Sequence, residues 1–138
     1  MAALKGMKKN GWGRIINMTS VSVKEPLSYL ALSNTIRSAV TSWGKTLSIE
    51  SGKHNITVNN ILTGFFNTER LKELNSEKAK KFNIKTSEVF EKMSEMVPLK
   101  RIGEPEEFAY LIAFLSSEYS SYINGVNIPI DGGLLKSM

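Results

Sequence analysis

Cysteine is absent from the 138 residues, which excludes disulfides and thiolate metal sites and fits a reducing compartment. Histidine occurs once, at His54 in the polar run Ser51-Gly52-Lys53-His54-Asn55, where a lone imidazole finds no partners for a metal centre and reads as an exposed loop residue. No apolar run approaches the length of a membrane span. The first ten residues have neither the apolar core nor the small-residue exit of a signal peptide. The expected setting is therefore cytoplasmic, with no membrane partner. A net charge of +5 raises the question of nucleic acid, but the basic residues are scattered rather than striped, and no nucleic-acid partner is expected. The clusters Lys78, Lys80, Lys81 and Lys85, then Lys100 with Arg101, read as solvated surface or as a docking patch for an acidic partner.

What is present fits one domain with a modest core, and an apolar share of 41% is ordinary for a globular chain. The stretch 14–52 organises the rest: a short apolar strand (Ile15, Ile16), a polar turn (Thr19, Ser20, Ser22), a proline-marked loop (Pro26) and a long amphipathic helix from about 28 to 51, ended by Gly52. Tyr29, Ser33 and Arg37, at i, i+4 and i+8, fall on one helix face beside an apolar stripe of Leu32, Ile36, Val40, Trp43 and Leu47. Residues 1–9 resemble the last turns of a helix stopped by Asn10-Gly11. Residues 13–19 read as a strand whose apolar centre predicts burial on both faces.

Residues 56–62 form the second expected strand, so the helix between makes a βαβ unit with parallel pairing. Its loop, Thr63 to Thr68, then lies at a carboxyl strand end on the same edge as Ser20, where α/β proteins bind ligands. Residues 69–96 have the apolar spacing of short helices, with Thr86 as an N-cap, and read as a lid or as an ordinary helical insertion. Gly103-Glu104-Pro105-Glu106-Glu107 is a helix start, followed by the stripe Phe108, Leu111, Ile112, Leu115. Residues 125–130 make a last strand that Pro129 assigns to an edge or a bulge. Gly44-Lys45-Thr46 echoes a phosphate-binding loop but falls inside the long helix and lacks the earlier glycine.

With the elements placed, GRIINMTS, NNILTGFFNT and PLKRIGEPEEFAYLIAFLSSEYSSYINGVNIPIDGG resemble the carboxyl-terminal half of a short-chain dehydrogenase/reductase, most closely the 3-oxoacyl-acyl-carrier-protein reductase group. The resemblance covers nearly the whole chain, and the last block is its most specific part. It implies an α/β fold, the second half of a doubly wound Rossmann-type parallel sheet of about three strands with flanking helices, occupying residues 1–138 as a partial domain. It implies hydride transfer between NAD or NADP and a carbonyl such as a 3-oxoacyl thioester, and assembly as a homodimer or homotetramer through the long helix and the helix after Pro105. Acyl carrier protein is the acidic partner it suggests for the lysine cluster.

The family pattern is a serine, a tyrosine thirteen positions later and a lysine four beyond. In this chain those positions hold Ser20, Ser33 and Arg37. Arg37 keeps the charge and can hold a ribose, although its fork differs from an ammonium. Ser33 is the larger change, because an alkyl hydroxyl is a poorer acid than a phenol of pKa about 10. The proton is then expected from Tyr29 or from a water held by Ser33, with Ser20 orienting the substrate oxygen. Gly64, Phe65 and Thr68 would line the nicotinamide and phosphate side, with Thr63 in place of the family's usual proline. No glycine-rich turn or adenosine-ribose reader is present, so the first half of the domain is expected from another segment or chain. A fold that kept its cleft but lost its proton donor, serving as a binding or assembly subunit, is the alternative.

Overall fold

The computed structural model describes residues 2–137, so Met1, the first residue of the expected opening helix, lies outside the described residues. Three strands, β1 (Gly13–Met18), β2 (Ile56–Thr63) and β3 (Asn127–Ile130), form one parallel sheet in the order β1-β2-β3. Among the described residues, five α-helices connect and flank them: α1 (Ala2–Asn10), α2 (Ala31–Ser51), α3 (Glu69–Phe82), α4 (Thr86–Met96) and α5 (Pro105–Ser116). Parallel strands need long crossovers, and here α2 joins β1 to β2 while α3, α4 and α5 join β2 to β3.

The core is centred on β2. All of its residues from Ile56 to Leu62 are buried, and Ile56, Val58, Ile61 and Leu62 have no exposed surface, which stabilises the fold by roughly 1.5–3 kcal/mol for each side chain. Side chains alternate across the pleat. Asn60 therefore faces α2, while Arg14 on the opposite face reaches the Ser117 carbonyl at the end of α5 with its Nε, at 3.2 Å. Helices thus cover both faces of the sheet. Burial of β1 on both faces is not found: Ile15 and Ile16 are only half-buried, because β1 has β2 as its one strand neighbour among the described residues. Pro129 sits on the edge strand β3 opposite Leu62, where its missing N–H breaks no ladder.

The helix α2 differs from its sequence pattern in two ways. Its start is Ala31, since Tyr29 adopts a left-handed backbone (φ 64°) and Leu30 is the cap. The buried face is also not the apolar stripe but the small and polar set Thr41, Gly44, Ser48 and Ser51 with Leu47. Leu32, Ile36 and Trp43 stay exposed. The reason lies in the sheet, where an asparagine occupies the same rung on each strand. Asn17 Nδ2 donates to Asn60 Oδ1 at 2.9 Å, and Asn60 Nδ2 donates to Asn127 Oδ1 at 2.8 Å and to the Thr41 carbonyl at 3.3 Å. A side chain at Gly44 would meet Asn60 Oδ1 at 2.6 Å, so glycine lets the helix ride directly on this amide row.

Residues 69–96 fold as the two expected helices, with Thr86 as the first residue of α4 rather than its cap. Lys85 holds the cap position, and its N–H donates to Glu88 Oε1 at 3.3 Å. His54 is half-buried in a short 3-10 turn, Gly52–His54, not in an exposed loop.

Candidate active site

Both crossover loops leave the sheet at its carboxyl end. After β1 the chain enters a tight turn in which Ser20 Oγ accepts the Ser22 N–H at 3.1 Å and caps the 3-10 turn Val21–Val23. After β2 it approaches β3 so closely that a Cβ on Gly64 would lie 2.7 Å from the Asp131 Cα. That contact, the Gly64 N–H to the Ile130 carbonyl at 3.0 Å, and the Gly103 N–H to the Phe65 carbonyl at 3.0 Å fix the loop from behind. The Phe66 ring packs edge-on against Phe108 of α5, with centroids 5.5 Å apart. Thr68 then caps α3, accepting the Leu71 N–H at 3.3 Å.

The two loops touch. Thr63 Oγ1 donates to the Thr19 carbonyl at 2.9 Å, and Arg37 Nη1 donates to the same oxygen at 2.9 Å. Arg37 Nε also reaches Ser33 Oγ at 3.4 Å, a long and weak contact. Around this junction lies a cleft of about 450 Å³, walled by Ser20, Arg37, Gly64, Phe65 and Thr68 from the expected set. A second hollow of about 440 Å³ adjoins it, shares Met18, Thr19 and Arg37, and brings in Ser33 with Leu32, Ile36 and Val40 of α2.

Six of the seven expected residues are thus gathered at one end of the sheet. Tyr29 is not: it precedes α2, its side chain is fully exposed, and it lines neither hollow. The i, i+4, i+8 alignment with Ser33 and Arg37 fails because the left-handed turn at Tyr29 breaks the helical repeat. The residue that sequence reasoning left without a role is Thr63, and the only signal for it was a hydroxyl standing where the resemblance expects proline. Arg70, Leu71 and Leu74 of α3 also wall the cleft, so this part of the variable segment faces the site.

Chemically, the wall offers one guanidinium held from behind, a second at Arg70, hydroxyls at Ser20 and Thr68, apolar surface at Met18 and Phe65, and no carboxylate among the described residues. That donor set fits an anionic ligand carrying a flat aromatic ring, as a nicotinamide dinucleotide does. Arg37 and the Gly64 to Thr68 loop are the groups that would hold it.

A parallel sheet with helices on both faces and a ligand cleft at the strand carboxyl ends defines a doubly wound α/β domain. Comparison with known proteins narrows this. The family model described as enoyl-(acyl carrier protein) reductase matches residues 1–135. NADPH-dependent reductase BacG of Bacillus subtilis (strain 168) is 39% identical over 132 residues, covering 96% of this chain and 51% of that protein. The 3-oxoacyl-[acyl-carrier-protein] reductase FabG of Pseudomonas aeruginosa is 31% identical, covering 99% of this chain and 51% of that protein. L-sorbose reductase of Gluconobacter frateurii, solved with NADPH and L-sorbose, superposes with a TM-score of 0.92 at 33% identity, over 98% of this chain and 52% of that one. The chain belongs to the short-chain dehydrogenase/reductase family. It spans about half the length of the curated relatives it matches.

Proposed function

We propose that this chain forms the substrate-side half of an NAD(P)-dependent carbonyl reductase, acting on a small carbonyl such as a 3-oxoacyl thioester. The observation that carries the reading is Arg37, tied to the Thr19 carbonyl between Ser20 and Ser33 in a cleft shared with the Gly64 to Thr68 loop. Several of these relatives are named for their dependence on NADPH or were solved with it bound, which favours the phosphorylated cofactor.

In this reading the bound nicotinamide supplies the hydride. Ser20 would hold the substrate oxygen by hydrogen bonding, and a water on Ser33 Oγ would give it a proton as charge develops, the hydroxide left behind taking a proton from bulk solvent. Arg37 holds the cofactor ribose and favours negative charge on that oxygen. Tyr29 enters only if the loop before α2 rearranges.

The rest of the Rossmann-type domain pairs with the open edge of β1, which accounts for the half-length coverage of the relatives. The exposed Leu32, Ile36 and Trp43 of α2, with Tyr110 and Phe114 of α5, suit contacts within a homodimer or homotetramer in the cytoplasm. No described helix is long and apolar enough to cross a membrane. Lys78, Lys80 and Lys81 on α3, with Lys85 before α4, are all exposed, and Lys78 and Lys81, three apart on the helix, share a side on which an acyl carrier protein would dock.

The test is NADPH oxidation by the complete protein against a panel of 3-oxoacyl thioesters and other small ketones. Turnover on at least one supports the reading. Tight NADPH binding without turnover on any leaves the cleft as a binding module.

A further inference from the structure

We infer that Thr63 is a positioning residue which aims both Ser20 and Arg37, an inference that rests on the reading of the cleft given above. The Thr19 carbonyl has two acceptor sites. Both are filled, by Arg37 Nη1 from α2 and Thr63 Oγ1 from β2, each at 2.9 Å. Thr19 is held on its other side, where its N–H and its Oγ1 both donate to the Ile61 carbonyl, at 2.9 and 3.0 Å, and the residue is 2% exposed, so the plane of the Thr19–Ser20 peptide is left to those two donors. Ser20 is the next residue, so whatever sets the plane of the Thr19 carbonyl sets where Ser20 stands.

The guanidinium depends on the same oxygen. Its contact with Ser33 Oγ is long, so the Thr19 carbonyl is its one good anchor among the described residues. Removing the Thr63 hydroxyl frees one lone pair, and the guanidinium, left as the sole donor to that oxygen, is no longer held to one line of approach. A proline at this position offers no side-chain donor, so the brace is available to this chain through its threonine alone. Thr63 touches neither substrate nor cofactor in this scheme; it acts through Ser20, which holds the substrate oxygen, and Arg37, which holds the ribose.

Thr63→Val keeps the shape and removes the donor, whereas Thr63→Ser keeps the donor. In the complete protein, Thr63→Val is expected to lower kcat about tenfold and to raise KM for NADPH about threefold, because Arg37 holds the ribose, while Thr63→Ser keeps both within about twofold. A staple with a purely structural role would lower the melting temperature and leave kcat intact, and that result overturns the proposal. Should Thr63→Val fail to fold, Thr63→Ala, which adds no atoms, replaces it. Should the parent protein show no turnover, the proposed function fails separately, and amide hydrogen exchange decides the brace. Exchange of the Ser22 N–H, which is held by Ser20 Oγ, then rises about fivefold in Thr63→Val and not in Thr63→Ser; equal exchange in all three proteins overturns the proposal.

Discussion

Asn17 and Asn60 face each other across β1 and β2 at the same register position, and the Asn17 amide donates to the Asn60 carbonyl oxygen at 2.9 Å. The pair lies directly beneath Gly44, where an added Cβ would stand 2.6 Å from Asn60 Oδ1 and 2.7 Å from Asn17 Nδ2. Neither amide can retreat cheaply, because Asn60 is fully engaged with Asn127 and the Thr41 carbonyl. Gly44→Ala is therefore expected to destabilise the fold by about 1–3 kcal/mol despite alanine's better helix propensity, read by denaturant unfolding. An unchanged or raised stability would mean that α2 does not ride on the amide row as described.

The three side chains of the long-helix region separate by activity. Arg37→Met removes both the charge and the tie to Thr19, and a loss of about 10²-fold or more in kcat is expected. Ser33→Ala removes the hydroxyl that holds the proposed water and should cost at least about tenfold. Tyr29→Phe should leave kcat within about twofold, because the ring stands outside the cleft. Steady-state NADPH oxidation checks all three, and a large loss in Tyr29→Phe alone would restore tyrosine as the proton donor.

Acid sensitivity should come from two carboxylates. Glu107 accepts two hydrogen bonds from Arg101, at 2.7 and 2.6 Å, and one from the Glu104 N–H at 2.8 Å, which hold its pKa down from 4.5 to about 2. Glu25 is lowered by the Ser137 and Lys136 N–H groups, both 2.8 Å from its Oε1, which pin the chain end over the loop before α2. In each case the unfolded chain binds the proton more readily than the folded one. The stabilisation is thus full above the unfolded value of 4.5 and is lost as pH falls through the folded value, about 2 for Glu107. Both groups stand partly open to solvent, so the effect is modest. Melting temperature should fall from pH 5 to pH 3, and Glu107→Gln should flatten that fall; a slope identical to the parent's would contradict the assignment.

The strands, the parallel pairing of β1 with β2 and the carboxyl-end loops were legible because apolar runs and Gly or Asn punctuation report directly on burial and turns. β1 came within one residue, expected over 13–19 and found over Gly13–Met18. The start of α2 was not legible. A periodic pattern continues through Tyr29 whether or not the backbone reverses there, and nothing in the residue type announces φ 64°. Nor was the buried face of α2, since Thr41, Gly44 and Ser48 are buried by what lies beneath them on the sheet, and the amide row that selects small residues joins three strands far apart in sequence. Ser20 and the loop from Gly64 to Thr68 could be gathered in advance because strand ends on one edge are forced together, and Ser33 and Arg37 joined them through the family spacing counted from Ser20. The brace from Thr63 to Thr19 depends on a side-chain rotamer, which no spacing rule supplies.

The account stands on one cleft, shared by the loops after β1 and β2, that takes a nicotinamide dinucleotide. An NMR titration of the complete, isotope-labelled protein with NADPH tests this directly. Saturable amide shifts clustered at Ser20, Arg37, Gly64, Phe65 and Thr68, with Tyr29 and the outer face of α4 unmoved, are the expected result. Shifts that spare those five residues while NADPH binds elsewhere would contradict it.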